Sequence, residues 1–315
     1  MMTQALDSYL AVRRSAGCKL KKVEYYLRRF VRFSSNEGQA YISAQTAIEW
    51  ARQGTSPAER SFRLKTVACF ARYLSAEDAR HEVPPDDVFG GYQIRRRIPF
   101  IFTVADVNRL VEAASLLGPP GALRRHTYST IFALLSVTGM RISEALNLQF
   151  EDVTADGLWI RNTKFGKSRF IPLHPTAVAG LEKYIVLRRR VAGADSHVFI
   201  SVHGRKLAHS VVHYEFRKSV RLLEFHKRPG QPHPRIHDMR HSFATRALES
   251  CPAGRDAIAR HMVALSTYLG HCNIWNTYWY LEATPALLTD ISGACERFVH
   301  GGGAPAGGHP SAQRA

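Results

Sequence analysis

Residues 138–148 read TGMRISEALNL and residues 236–245 read IHDMRHSFAT, so each segment holds an arginine at its centre. A guanidinium is the side chain best shaped to bind two oxygens of a phosphodiester, because its donors form a planar fork. Attack on that phosphorus adds negative charge to the non-bridging oxygens, which fixed cations stabilise. Arg141 and Arg240 are therefore candidate phosphate-binding residues.

The second segment also contains two histidines. His237 lies three residues before Arg240 on a predicted helix, so both side chains share one face, and an imidazole can move a proton near neutral pH. His237 and His241 are four apart, which is also the spacing of the zinc-binding helix of metalloproteases. Asp238 replaces the glutamate base of those enzymes, and Arg240 would bring a cation close to the metal. A zinc metallohydrolase is therefore the weaker alternative.

Three further segments carry reactive side chains. They are NTKFGKSRFIPL at 162–173, STYLGHCNIW at 266–275 and NTYWYLEAT at 276–284. Strands are predicted at 157–160 and 168–173, so Lys164 and Lys167 fall in the turn between them. A lysine on such a hairpin can reach into the minor groove and protonate a leaving oxygen.

Taken in order, the five segments resemble the tyrosine recombinase (phage integrase) family, whose members cut and rejoin DNA through a tyrosine. The resemblance implies that Tyr280 is the nucleophile, because it lies nine residues after His271, whereas Tyr278 lies seven after it. It also implies that Lys164 is the general acid, with Lys167 and Arg169 bound to phosphates. The implied catalytic set is Arg141, Glu144 as an orienting acid, Lys164, His237, Arg240, His271 and Tyr280.

The same resemblance implies a covalent 3′-phosphotyrosine intermediate that needs no cofactor and no metal. It implies a tetramer on DNA, because a terminal helix beyond the nucleophile commonly docks on a neighbouring subunit. Thr284 and Pro285 begin such a helix here. Related recombinases or DNA-bending proteins are further possible partners. The remaining alternatives are an inactive DNA-binding relative and a type IB topoisomerase, which shares this chemistry.

The charge of the chain favours a polyanionic partner. Lys and Arg number 43 against 26 Asp and Glu, which gives a net charge of +17. Both halves of the chain are basic, which suits a clamp around double-stranded DNA. Five scattered cysteines without a Cys-x-x-Cys pair argue against a disulfide framework and a zinc ribbon, so a reducing cytoplasm fits best. No apolar stretch reaches the length of a membrane span, so no membrane association is expected.

The first third of the chain predicts a small helical bundle that binds DNA. Helices are expected at 5–16, 20–33, 44–52 and from a capping box at Ser56 to about residue 75. The second helix has a basic arc opposite its apolar face, and a basic linker follows at 81–100. The candidate DNA-binding residues of these segments are Lys21, Lys22, Arg28, Arg29, Arg32, Arg95, Arg96 and Arg97.

The remaining two-thirds predict a mainly α-helical domain with a small β-hairpin. Thr103 is a predicted N-cap, a helix follows at 123–137, and Asn273 is a predicted N-cap for a short helix carrying the tyrosine. The stretch 251–260 contains Pro252 and Gly254 and predicts an extended loop. We therefore expect a two-domain recombinase architecture: a core-binding domain at 1–95, a catalytic domain at 96–300 and a disordered tail at 301–315.

Overall fold

The computed structural model describes residues 2–85, 87–90, 97–161, 168–191, 195–225, 229–251, 255–271, 273 and 275–282. Contacts divide the chain into two compact units, Met1–Arg97 and Ile98–Ala315. The described residues are mostly helical with a small antiparallel sheet, so the predicted fold class is confirmed. No helix among these ranges is both long enough and apolar enough to cross a membrane.

The first unit is a four-helix bundle. Its helices are α1 (Met2–Ser15), α2 (Lys21–Asn36), α3 (Ala44–Arg52) and α4 (Pro57–Ser75). Apolar residues at helical spacing meet in one core, in which Leu27, Phe30 and Phe70 are fully buried. Ser56 caps α4 by accepting a hydrogen bond from the Glu59 backbone, as predicted. The Glu59 carboxylate instead accepts from Thr55, so the reciprocal half of the expected capping box is absent.

The second unit begins with two helices that pack on each other, α5 (Val104–Ser115) and α6 (Leu123–Thr138). Thr103 caps α5 through a complete capping box with Asp106. The α6 helix ends at Gly139, which has φ +59°. A Cβ there would lie 2.5 Å from the Phe243 ring, so both the left-handed backbone and the close approach require glycine.

A three-stranded antiparallel sheet follows the short helix α7 (Ile142–Ala145) and one turn of 3₁₀ helix at Phe150–Asp152. Its strands, in spatial and sequence order, are β1 (Val153–Thr154), β2 (Gly157–Ile160) and β3 (Arg169–Pro172). In the predicted hairpin β2 pairs with β3, and Ile160 lies opposite Arg169. The sequence did not predict β1, which is only two residues long and is defined by its pairing with β2.

The remaining helices are α8 (Pro175–Arg189), α9 (His209–Leu222), α10 (Asp238–Glu249), α11 (Arg255–Leu269) and α12 (Trp275–Glu282). The extended loop predicted for 251–260 is wrong over its second half, because α11 already begins at Arg255. Pro252 and Gly254, on which the prediction rested, lie outside the described residues. Leu248, Leu265, Leu269 and Tyr280 share a small apolar core, which brings the last three helices together.

Candidate active site

Arg240 is the centre of the site. It lies on α10, and only 2% of its surface is exposed. One terminal nitrogen donates to the Gly139 carbonyl at 2.8 Å, and the other donates to the Leu269 carbonyl at 2.7 Å. The guanidinium is thus held by the ends of α6 and α11, two segments far apart in sequence. Burial lowers the pKa of Arg240 to about 10, so it stays cationic at neutral pH.

Arg141 lies at the start of α7, with about a third of its side chain exposed. Its Nη1 donates to the Glu144 carboxylate at 2.8 Å, and its Nη2 donates to the Gly270 carbonyl at 3.2 Å. The C-terminal end of α11 therefore supplies a carbonyl to each arginine: Leu269, its last residue, to Arg240, and Gly270, the residue after it, to Arg141. Both guanidiniums are fixed before any ligand binds, as stabilisation of a developing anion requires.

Glu144 is buried and binds two arginines. Its carboxylate accepts from the backbone and side chain of Arg141 and also from Arg169. Burial by itself raises the pKa of the Glu144 carboxyl, but the hydrogen bonds and charge of Arg169, with those of Arg141, outweigh it and keep the pKa below its usual value. Glu144 is therefore an anion inside the site rather than an exposed helix residue.

His271 touches both Arg240 and α12. Its Nε2 lies 3.0 Å from Arg240 Nη2, and its Nδ1 lies 2.8 Å from Thr277 Oγ1. A guanidinium has no lone pair to offer, so Nε2 accepts, and we assign the ring proton to Nδ1, which donates to Thr277. Burial, followed by the charges of Arg240 and Arg141, lowers the pKa of His271 to about 3. Sequence reasoning missed Thr277.

Tyr280 reaches the same cluster from α12 and is 2% exposed. Its ring stacks on the His271 ring at 6.0 Å between centroids and lies 5.3 Å from the His241 ring. Tyr280 also raises the pKa of Arg240, against the larger effect of burial. Asn273 accepts from the Trp275 backbone at the start of α12, so the expected break between His271 and the tyrosine helix is present. The Tyr280 side chain therefore lies against the histidines that surround Arg240. The side chain of Tyr278 lies outside the described residues.

His237 and His241 differ in their exposure to solvent. His237 is exposed at the start of α10, whereas His241 is buried between the His237 ring at 4.9 Å and the Tyr280 ring at 5.3 Å. Burial, followed by the neighbouring His237 and Arg235, lowers the pKa of His241 to about 3. Partial burial of the His237 ring, followed by the positive charges of Arg240 and Arg141, lowers its pKa to about 4. Solvent at the exposed edge of the ring screens these charges.

A zinc site at His237 and His241 would need a third ligand. Within the described ranges, no group of three or more His, Cys, Asp or Glu side chains could hold a metal ion. The acid of the zinc-helix pattern, Asp238, is also occupied. Its carboxylate accepts from the backbone and the guanidinium of Arg235, each at 2.8 Å. It caps the turn that enters α10 and does not face the two histidines as a base would.

The other predicted site residues differ in whether the structure describes them and in how exposed they are. Lys164 and Lys167 lie outside the described residues, as do Arg95, Arg96 and the expected helix after Thr284. Arg97 is exposed. Arg169 is not on the surface: it is nearly buried against Glu144. The predicted basic residues of α2 are all exposed: Lys21, Lys22, Arg28, Arg29 and Arg32.

Comparison with known proteins gives one consistent family. The model of the phage integrase family matches residues 101–286, which include all the residues described above as meeting Arg240. An integrase/recombinase of Sinorhizobium fredii, y4rB, is 35% identical over 306 residues, covering 93% of this chain and 96% of the relative. The tyrosine recombinase XerC of Alcanivorax borkumensis is 28% identical and covers 84% of this chain and 77% of its own length.

Solved structures share the fold. The Tn1549 transposon integrase in complex with transposon right-end DNA has a TM-score of 0.62 at 18% identity, with 94% of this chain and 99% of that chain covered. The XerH site-specific recombinase bound to a palindromic difH substrate has a TM-score of 0.63 at 16% identity, with 86% and 77% covered.

Proposed function

The chain belongs to the phage integrase family, and we propose that it acts as a site-specific tyrosine recombinase with Tyr280 as nucleophile. Members of this family are enzymes that break and rejoin DNA strands. The observation that carries the assignment of Tyr280 is the stacking of its buried ring on His271, whose Nε2 accepts a hydrogen bond from Arg240. A nucleophile and the cations that stabilise its transition state belong close to each other.

In the cleavage step, the Tyr280 oxygen attacks the scissile phosphorus, and the bond from phosphorus to the 5′ oxygen breaks. Arg141 and Arg240 hold the non-bridging oxygens. The neutral imidazole of His237 takes the proton of the tyrosine, and Lys164 gives a proton to the leaving 5′ oxygen. The product is a 3′-phosphotyrosine and a free 5′ hydroxyl. Attack by a 5′ hydroxyl of the partner strand reverses these steps, so the bond energy is conserved and no ATP is required.

The site must open before it can cleave. Tyr280 and Arg240 are each 2% exposed, so a phosphodiester reaches them only when α12 moves. An incoming phosphate then binds the Arg240 guanidinium beside the nucleophile. The anion also raises the pKa of His271 again, because it favours the protonated ring, and a protonated ring can donate to the phosphate from Nε2.

Double-stranded DNA is the proposed substrate. The net charge of +17 and the exposed lysines and arginines of α2 supply phosphate contacts for the core-binding domain proposed at 1–95. The catalytic domain is proposed at 96–300. DNA-bound structures of XerH and the Tn1549 integrase support the choice of partner. We place the reaction on the DNA of a mobile element in the cytoplasm, with accessory DNA-bending proteins or related recombinases as further partners.

Strand exchange requires several protomers, so we propose a tetramer on DNA, joined by the segment after Ala283. Leu288, Ile291, Cys295 and Phe298 recur there at helical spacing. A chain truncated after Ala283 should bind one half-site but fail to form the tetramer, measured by sedimentation on DNA. A folded truncation that still forms a tetramer would contradict this interface.

The function is tested by mapping covalent adducts. Cells expressing the protein are lysed in detergent, DNA that carries bound protein is captured, and the attached DNA is sequenced. We expect adducts at discrete sites, each with the protein on a 3′ phosphate. The Tyr280→Phe protein is the matched control. Equal capture by both proteins, or adducts on 5′ phosphates, would reject the proposed chemistry.

A further inference from the structure

Arg169 is turned into the protein. It begins β3, and its side chain is 11% exposed. Two of its nitrogens bind the Glu144 carboxylate, Nη2 at 2.7 Å and Nη1 at 3.1 Å, and its Nε donates to the Tyr268 carbonyl at 2.8 Å. The three nitrogens of the guanidinium are thus all used inside the protein. The phosphate contact expected from the sequence does not match this geometry.

Arg169 and Arg141 share the Glu144 carboxylate, and their other partners are neighbouring carbonyls. Glu144 accepts from Arg141 Nη1 and from the Arg141 backbone while it holds Arg169. The other shared support is the segment 268–271, which comprises the end of α11 and the two residues after it: Arg169 binds the Tyr268 carbonyl and Arg141 binds the Gly270 carbonyl. One carboxylate and one segment therefore set the position of both guanidiniums. A change at Arg169 is expected to displace Arg141.

Gly270 shows how closely Arg169 fits against this segment. A Cβ at Gly270 would lie 2.8 Å from Arg169 Nη1 and 3.1 Å from Cζ, and the backbone there has φ +65°. The next residue is His271, whose ring meets Arg240. The flat face of the guanidinium thus packs directly against the backbone that carries a catalytic histidine.

We propose that Arg169 is a positioning residue, which acts through Glu144 and the 268–271 segment to hold Arg141 and His271, and that it makes no DNA contact. This inference rests on the proposed function, because it takes Arg141 and His271 as groups that touch the phosphate. Arginine suits the role because it offers a carboxylate two parallel donors and a carbonyl a third. Lysine offers one point charge and reproduces only part of this arrangement.

The test compares Arg169→Lys with Arg124→Lys. Arg124 pairs with the buried Glu215 in the same unit, and neither residue bonds to any of the site groups described above, so it is a matched control for disturbing an arginine–glutamate pair. For each protein, DNA affinity is measured over a range of salt. The rate of covalent adduct formation is then measured on saturating DNA, with ordinary DNA and with DNA whose 5′ bridging oxygen is replaced by sulfur.

For Arg169→Lys we expect wild-type affinity and an unchanged salt slope, with adduct formation slower by about ten- to a hundredfold, since displacements near 1 Å cost up to about a hundredfold. Sulfur should not restore the rate, because the loss lies in phosphate binding and not in protonation of the leaving group. Arg124→Lys should cleave at the wild-type rate.

Several results would overturn the proposal. A salt slope smaller by about one, with a normal rate per bound complex, would make Arg169 a phosphate contact. Restoration by sulfur would mean that it acts on the general acid. Equal losses in Arg169→Lys and Arg124→Lys would indicate a general loss of packing. Failure of the proposed function is distinguishable, because then the wild-type protein itself forms no adduct.

A double-mutant cycle keeps the proposal testable if Arg169→Lys lowers thermal stability. Rates are measured for Glu144→Gln, Arg169→Lys and the double variant, each corrected for the folded fraction. If Arg169 acts through Glu144, the second substitution should add less than threefold to the loss caused by the first. Losses that multiply would show that the two residues act independently and would reject the proposed route.

Discussion

Basic side chains serve two different purposes in the two units. In the C-terminal unit Arg240 is 2% exposed and bound to two carbonyls from distant segments. On α2 of the N-terminal unit, Arg28 has a side chain that is 46% exposed, and its partners are carboxylates of the same helix and of α1. A guanidinium that stabilises a transition state must be fixed beforehand, whereas one that attracts a polyanion gains little from rigidity. Buried and exposed cations should therefore respond differently to mutation.

The largest effect is expected for Tyr280→Phe. This change removes the attacking oxygen and leaves the packed ring, so DNA binding should persist while covalent adducts fall by about a thousandfold or more. The measurement is the fraction of labelled DNA retained on protein after denaturation. Tyr278→Phe is the control and should form adducts normally. Adducts that persist in the first variant and vanish in the second would move the nucleophile to Tyr278.

The next effect separates the fixed arginine from the hairpin lysine. Arg240→Ala should slow cleavage by about a hundred- to a thousandfold, as is usual when a preorganised donor to an oxyanion is removed. Lys164→Ala should slow the cleavage of ordinary DNA. Its cleavage rate should recover on DNA whose 5′ bridging oxygen is sulfur, because that leaving group needs no proton. Arg240→Ala should not recover. Recovery of Lys167→Ala instead of Lys164→Ala would move the general acid by three residues.

A third effect concerns acid stability, and it is expected to be largest in the C-terminal unit. The pKa values of His241 and His271 are lowered to about 3, chiefly by burial, so between pH 6.5 and about 3 the unfolded chain binds more protons than the folded one. The free energy of unfolding is therefore greatest above pH 6.5 and falls as the pH drops. At pH 5 the loss approaches about 2 kcal/mol for each fully shielded histidine. The partly exposed His271 contributes less.

Calorimetric unfolding at pH 7.5 and pH 5.0 measures this loss. His241→Asn removes one titrating group, so its melting temperature should fall less between the two pH values than that of the wild-type protein, whatever its stability at pH 7.5. In the N-terminal unit burial lowers the pKa of His81 in the same direction, and His81→Asn serves as the comparison. An unchanged pH shift in His241→Asn would contradict a buried neutral imidazole.

Local signals predicted the helices well. Apolar spacing and the caps at Ser56 and Thr103 act within a few residues, and the structure has α4 and α5 where these signals place them. Pairings between distant segments could not be read in this way. The strand β1 exists because it pairs with β2, and the orientation of Arg169 depends on Glu144, which precedes it by 25 residues.

Motif spacing predicted which residues would lie together but not how they are arranged. Arg141, His237, Arg240, His271 and Tyr280 follow from motifs, and the structure brings them to one place. The stacking of Tyr280 on His271, the contact of Thr277 with His271 and the burial of His241 follow from how α10, α11 and α12 pack. No spacing within a motif encodes these contacts.

The smallest effect tests the exposed side of the comparison. Arg28 binds Asp7 and Glu24 at 2.9 Å each, so its charge is already neutralised locally. Arg32 lies one turn further along the same exposed face and forms no ion pair with any residue that the structure describes. If this face of α2 lies on DNA, Arg32 releases a counterion when it meets a phosphate, whereas Arg28 must first give up its carboxylates.

Arg32→Ala should therefore reduce the slope of log affinity against log salt by about 0.9, the value for one phosphate contact on duplex DNA, and Arg28→Ala should change it by less. Neither variant should alter the rate of adduct formation on saturating DNA, because neither residue supports the catalytic guanidiniums. Equal reductions would mean that the carboxylates release Arg28 on binding. An unchanged slope in both variants would mean that this face of α2 is turned to solvent, with the phosphate contacts made elsewhere on the chain.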